Sequence, residues 1–167
     1  MNEADIDTVS ALRVRGWQAA YASLIPQDYL DAMSPGDDAQ RRRARFASSR
    51  GSVWNLVAVD EDDVPIGWIC FGPYRGATDA AAPGEVYALY VEPSLTGRGI
   101  GRALLEAMHQ HAEAQQFSTL LLWVLRDNAR ARRFYAAAGY VGDGAVARDV
   151  YGKTAVQEVR YRRSTAG

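Results

Sequence analysis

The sequence predicts a single α/β domain over residues 1–167, with helices layered on a mixed sheet. Three observations carry this reading. With 167 residues, 48% of them hydrophobic, the chain is long enough to enclose one core, and its mixed charges argue against disorder. Apolar residues recur at helical steps in the N-terminal third, then give way to the β-branched and aromatic runs of strands. From Glu85 onward strand, helix, strand, helix and two strands follow one another, with turn formers between them. No internal repeat, linker or second domain interrupts the pattern.

Taken in order, Ile6, Val9, Leu12, Trp17, Ala20, Tyr21 and Leu24 form the inward stripe of one helix, or of two with a break near Gly16. Pro26 opens a short helical segment, "IPQDYLDAM". Ser34, Pro35 and Asp37 make a cap for "GDDAQRRRARFASSR", whose arginine run reads as a solvated helix face. "VWNLVAVD" and "VPIGWICFG" read as an antiparallel pair joined through the acidic turn Asp60 to Asp63. "PYRGATDAAAPG" reads as a surface loop before a strand from Glu85 to Val91. A helix follows from Gly101 to Ala114, with Leu104, Leu105, Met108 and Ala112 inward. "STLLLWVL" is a buried strand and "NARARRFYAAAG" a helix ended by Gly139; "AVARDV" and "AVQEVRYR" are the closing strands.

Charge and composition exclude several classes. A net charge of −1 leaves no clustered basic footprint for nucleic acid, so any bound phosphate must be held locally. Cys70, the sole cysteine, lies inside "PIGWICFG" and belongs to the core. "MNEADIDTVS" has no leader pattern and no apolar run has the length of a membrane span, so a soluble, cytoplasmic protein without a membrane partner is expected. His109 and His111 face different sides of a helix and no Cys–His cluster exists, so no metal site is expected and both histidines should be exposed.

The informative stretch is "EVYALYVEPSLTGRGIGRALLEAM", where a strand passes through glycines into a helix. A helix start has N–H groups without partners and a partial positive charge, and it binds an anion when side chains stay clear. Gly97, Gly99 and Gly101 keep them clear, while Arg98 and Arg102 add charge. A nucleotide P-loop would need a Gly-Lys-Ser/Thr ending, which is absent. A dinucleotide fingerprint would need Gly or Ala where Arg102 stands and a later acidic residue where "FSTLLLWV" stands. A purely structural tight turn stays open on the glycines alone.

"LYVEPSLTGRGIGRALLEAM" resembles the acetyl-CoA-binding signature of the GNAT superfamily of N-acetyltransferases, and "LWVLRDNARARRFYAAAGYV" resembles that superfamily's second signature. The resemblance covers Trp54 to Arg162, and the N-terminal helices stand where the superfamily's acceptor-binding region varies. It implies a mostly antiparallel sheet whose fourth and fifth strands lie parallel and splay apart. Two departures stand out. Thr96 occupies a position usually Gln or Arg, and "MNE" stands where the fold usually has its first strand.

The resemblance further implies acetyl-CoA as co-substrate, without a metal. Its pyrophosphate would sit on the N–H groups of Arg98, Gly99, Ile100, Gly101 and Arg102, Thr96 and Gly97 of the same turn would also belong to the cofactor site, and Leu89 and Val91 would offer backbone groups to the pantetheine arm. The N–H of Tyr90 or Val91 would meet the thioester oxygen. Asn128 would steady the pantetheine end, or serve as a helix N-cap, or both. Tyr135, two turns further on, matches the tyrosine that protonates the departing thiolate; alone it would read as core. Glu85 matches a general-base position in several members. Strand alternation would put Glu85, Tyr87, Leu89 and Val91 on one face and let Glu85 look into the donor groove; a solvated strand-end carboxylate is the plainer reading. Trp17 and Tyr21 share a helix face, as core or as an aromatic wall for the acceptor, and Asp79 and Asp149 could attract a cationic amine.

The expected function is transfer of acetyl to a primary amine of a small molecule or peptide by direct attack in a ternary complex. Cys70 lies on another segment with no base beside it, so an acyl-cysteine route has no candidate. A non-catalytic acyl-CoA-binding or sensing module, and an interaction protein in which the glycine turn is structural only, are the other classes. The acceptor, and whether the protein is a monomer or homodimer, stay open.

Overall fold

Local signals account for the N-terminal helices in the computed structural model, which describes residues 1–49, 51–76 and 83–165. Most of the loop between Pro73 and Pro83, Asp79 included, lies outside the described residues. A 3-10 turn (Glu3–Asp5) capped by Asn2 leads into α1 (Ile6–Tyr21), then α2 (Gln27–Asp31) and α3 (Pro35–Phe46). Ser34 is the N-cap of α3, its hydroxyl accepting from Asp37 N–H at 3.2 Å with Pro35 in the first turn.

Helix α1 runs through Gly16 without a break. The glycine answers to packing: a Cβ there would stand 2.7 Å from Tyr90 Cδ1, so its absence lets the helix lie against the sheet. The arginine run is likewise not all solvated. Arg42 lies over the Trp68 ring at 4.2 Å and pairs with the buried Asp38 at 3.0 Å, while Arg43 pairs with Asp7.

The sheet contains β1 (Trp54–Val59), β2 (Pro65–Pro73), β3 (Gly84–Val91), β4 (Thr119–Leu125), β5 (Val141–Tyr151) and β6 (Thr154–Ser164), in the spatial order β1-β2-β3-β4-β6-β5. The β1–β2 hairpin turns where expected, with Asp60 Oδ1 accepting from the N–H groups of Asp62 and Val64. Among the described residues only β3 and β4 run parallel, and they pair over three residues, Gly84↔Leu120 to Val86↔Leu122, before diverging. These are the strands anticipated as fourth and fifth. They stand third and fourth here because the described residues open on the 3-10 turn and α1.

Helix α4 (Ile100–Ala114) and α5 (Ala129–Ala137) lie on one face of the sheet. Leu104, Leu105, Met108 and Ala112, all at or below 4% exposure, pack on Ile69, Val86, Leu120 and Leu122. On the other face, α1 sets Val9 and Leu12 against Trp68, and Ile25 and Leu30 meet Leu125. Cys70 sits in this second layer, where burial pushes its thiol up to about 12.

The alternation expected along β3 does not hold. Cys70 pairs with Ala88 but Phe71 pairs with Val86, so Tyr87 is the extra residue of a bulge. Val86 and Leu89 therefore share the α4 face, and Glu85 points to the face of α1. The histidines are corrected too. Neither is exposed: His109 meets the Tyr140 hydroxyl at 3.0 Å, and His111 packs against Trp54 and Phe71.

Candidate active site

Divergence of β3 and β4 opens a gap in the middle of the sheet. It holds a cavity of about 570 Å³ between α1, the loop before α4 and the start of α5. Leu89, Tyr90, Val91, Thr96, Gly97, Gly99, Ile100, Gly101, Arg102, Asn128 and Tyr135 line it; Arg98 is exposed beside it, outside the lining.

The β3 wall offers free backbone. Glu92 N–H donates to Ile66 O at 2.9 Å, and by alternation Tyr90 also turns its amide toward β2. Leu89 and Val91 thus direct theirs into the gap, beyond the last β3–β4 pair. This removes the Tyr90 N–H from the two candidates for the thioester oxygen and leaves that of Val91.

At the end of this wall, Pro93–Leu95 forms a 3-10 turn, and Gly97 and Gly99 both adopt φ +86° before α4 begins. Positive φ turns the chain sharply into the helix, which most side chains resist. The first hydrogen bond at the start of α4 is Ala103 N–H to Gly99 O at 3.0 Å, so the amides of Ile100, Gly101 and Arg102 have no acceptor among the described residues. Apart from their chain neighbours, no heavy atom of the described residues lies within 4 Å of where a Cβ would stand on Gly97 or Gly99. Unpaired amides, open space and the Arg102 guanidinium together fit an anionic group such as a pyrophosphate.

Opposite, Asn128 is the N-cap of α5, its Oδ1 accepting from Ala131 N–H at 3.0 Å; it therefore presents its remaining amide atoms to the cavity. Tyr135 stands two turns on, between the Phe134 ring at 5.1 Å and the Tyr140 ring at 5.9 Å. Burial, with the neighbouring Tyr21 adding to it, pushes its hydroxyl well above the usual phenol range, so it stays protonated. Tyr21 and Tyr90 converge on the same space, and burial raises both hydroxyls.

Glu85 lies elsewhere. It is 1% exposed, is not part of the cavity lining, and is clamped by Arg75: the Arg75 N–H donates to Oε2 at 3.0 Å and the guanidinium holds Oε1, with Nε at 3.1 Å. Trp17 and Tyr21 pack edge to face at 4.9 Å as one aromatic unit, with Tyr21 reaching the cavity and Trp17 half-buried outside its lining. Arg130, Trp123 and Gly16 line the cavity without having been singled out for it. Arg130 carries a signal in hindsight, two residues after Asn128 on the first turn of α5. Among the described residues no group of His, Cys, Asp or Glu is placed to hold a metal, and no helix is long and apolar enough to cross a membrane.

Comparison with known proteins agrees with this geometry. Residues 17–140 match the family model described as the acetyltransferase (GNAT) family. The uncharacterized N-acetyltransferase YuaI of Bacillus subtilis (strain 168) is 31% identical over 124 residues, covering 74% of this chain and 68% of that protein. A mycothiol acetyltransferase of Kocuria rhizophila is 32% identical over 105 residues; the match spans 63% of this chain but only 34% of that longer relative. Among solved structures, the PaiA N-acetyltransferase of Thermoplasma acidophilum, in complex with coenzyme A, superposes with a TM-score of 0.76 at 20% identity, over 98% of this chain and 95% of that one. YncA of Salmonella typhimurium, with its cofactor acetyl-CoA, gives 0.74 at 18% identity, over 100% and 92%. These two likenesses speak for the fold, and the family match covers the sheet gap, the glycine turn and both flanking helices: the chain belongs to the GNAT family of acetyltransferases.

Proposed function

We propose that this protein transfers the acetyl group of acetyl-CoA to a primary amine of a small molecule or peptide, by direct attack within a ternary complex. The observation that carries this is the juxtaposition, in one gap, of unpaired amides at the start of α4, free backbone on Leu89 and Val91, and a protonated Tyr135. The amides of Gly97 to Arg102 and the Arg102 side chain hold the pyrophosphate. Leu89, Val91 and Asn128 align the pantetheine arm, and the Val91 N–H polarises the thioester carbonyl. Tyr135 gives its proton to the departing sulfur. Glu85, the base by resemblance, can reach an amine only after Arg75 leaves it.

The occupied state of Glu85 is also what a non-catalytic acyl-CoA-binding module would show. The two readings separate in one experiment. The melting temperature is measured with acetyl-CoA and with ATP and NAD as controls, and thiol release is then followed with 2-phenylethylamine, spermidine and an alanine-initiated peptide. Ligand at about 100 times its Kd stabilises by about 2.7 kcal/mol, or roughly 2–4 °C for each kcal/mol in a domain of this size. A shift with acetyl-CoA alone and thiol release with at least one amine is expected. A shift without release selects the binding module, and no shift removes both readings.

A further inference from the structure

Around the sheet face carrying α1 and α2, the carboxylates are not equivalent. Glu85 is held by Arg75, and Asp143 accepts from Arg160 Nε at 2.7 Å and from Ala145 N–H at 3.0 Å. Asp149 accepts from Val150 N–H at 2.8 Å. Glu158 has neither a hydrogen bond nor an ion pair among the described residues, although it is half-buried.

Its position follows from the register. Glu158 lies between Leu125 of β4 and Ala147 of β5, and alternation puts Val156 and Arg160 on its face. Leu125 and Val156 pack with Trp17, Tyr21 and Tyr151, and Tyr21 lines the donor cavity. The Trp17 indole N–H in this cluster is buried and has no acceptor among the described residues. Among the described residues Glu158 is thus a carboxylate without a hydrogen-bond or ion-pair partner, beside the Tyr21 that lines the donor cavity though not itself part of the lining.

The charged and titratable groups around it are few. Asp149 and Tyr151 face it from β5, Glu85 from β3, Arg75 from the β2–β3 loop and Tyr21 from α1; β4 contributes apolar Leu125. Burial raises its carboxyl above the ordinary range, Asp149 and Glu85 add to this, and Arg75 opposes it. Among the described residues the group therefore lacks a counter-cation of its own, and it is more basic than a solvated glutamate.

We propose that Glu158 receives the ammonium group of the acceptor, an amine with an apolar or aromatic body, and takes its proton. This rests on the acetyl-transfer reading above. The ammonium gives one proton to the Glu158 carboxylate, and the freed nitrogen lone pair attacks the thioester carbonyl carbon. As the C–N bond forms and the C–S bond breaks, Tyr135 protonates the sulfur. The second proton of the nitrogen restores Tyr135, and Glu158 returns its own to solvent.

The test compares Glu158→Gln, Glu158→Asp and Glu85→Gln with wild type, using acetyl-CoA and the three amines named above, with kcat/KM followed against pH. Glu158→Gln is expected to lower kcat/KM by about 10-fold or more, to remove the acid limb of the profile, and to leave the acetyl-CoA melting shift intact. Glu158→Asp keeps the limb at reduced rate, which a merely structural role would not require. The neutral 2-phenylethanol is expected to inhibit Glu158→Gln as well as wild type, since it has no charge for the carboxylate to meet. A Glu158→Gln enzyme with wild-type kcat/KM and an unchanged acid limb overturns the inference, as does a limb lost only in Glu85→Gln. Wild type that releases no thiol with any of the amines removes the acetyl-transfer reading, and this inference with it.

Discussion

Gly99 and Gly144 separate backbone strain from ligand binding, because the two differ in little but place. Gly99 has φ +86° at the start of α4 and Gly144 has φ +89° on β5, and at neither would a Cβ meet any heavy atom within 4 Å. An alanine at either site creates no clash, so the folded-state cost is the conformation itself, about 1–2 kcal/mol. The stiffer unfolded chain returns about 0.4–1 kcal/mol where the native conformation tolerates the new side chain. Strained as these sites are, the net loss should be about 1 kcal/mol at each, or roughly 2–4 °C in melting temperature. Gly99→Ala also sets a methyl into the open space before the amides of Ile100, Gly101 and Arg102, whereas Gly144 is not part of the cavity. Both variants should lose similar stability without ligand, and only Gly99→Ala should lose most of the stabilisation by acetyl-CoA. Differential scanning fluorimetry over a ligand titration reads both quantities. A full acetyl-CoA shift in Gly99→Ala, beside the expected loss in the apo protein, would refute the assignment of the glycine turn as the pyrophosphate cradle.

Three further outcomes follow from single contacts. Tyr135→Phe keeps the ring packed between Phe134 and Tyr140 but removes the proton, so turnover should fall about 10-fold or more while acetyl-CoA affinity, read by calorimetry, changes little. Gly16→Ala gains about 1 kcal/mol of helix propensity but drives a Cβ to 2.7 Å from the packed Tyr90 ring, an overpacking cost of about 1–3 kcal/mol. The variant should melt lower than wild type, and a higher melting point would mean that the contact is not tight. Burial lowers His109 from 6.5 to about 4, so the unfolded chain binds a proton between those values that the native state refuses. Stability from this group is present above its unfolded pKa and is lost as pH falls toward the folded one; His109→Gln, which can still meet the Tyr140 hydroxyl, should flatten the fall in melting temperature between about pH 7 and pH 5.

The parts of the site that could be read from sequence are those that rest on local chemistry. A glycine at positive φ, an N-cap serine or asparagine and an amphipathic stripe are each dictated within a few residues. The α4 start, the Ser34 and Asn128 caps, and the stripe of Leu104, Leu105, Met108 and Ala112 therefore stand where the pattern put them. Gly16 shows where local reasoning stops. A glycine inside a helical pattern looks like a break, and only the Tyr90 ring from another element shows that it is a point of close approach. His109 and Arg42 erred the same way, because a polar residue on a helix reads as solvated until a partner such as Tyr140 or Trp68 is known.

Glu85 carries the larger consequence. "EVYALYV" alternates without a visible fault, yet the register slips between Cys70 and Phe71, so that Tyr87 has no counterpart on β2. One extra residue exchanges the faces of everything before it relative to everything after it. Leu89 and Val91 keep the donor side, while Glu85 is carried to the side of α1, where Arg75 meets it. A bulge is a mismatch in length between two strands and has no composition of its own, so the sequence of one strand cannot reveal it. The same slip puts Glu85 and Glu158 on one face, where the charge of Arg75 reaches both. A base on this face is therefore selected by what each carboxylate already holds: Glu85 has its cation, and among the described residues Glu158 has none, which leaves it to an incoming amine.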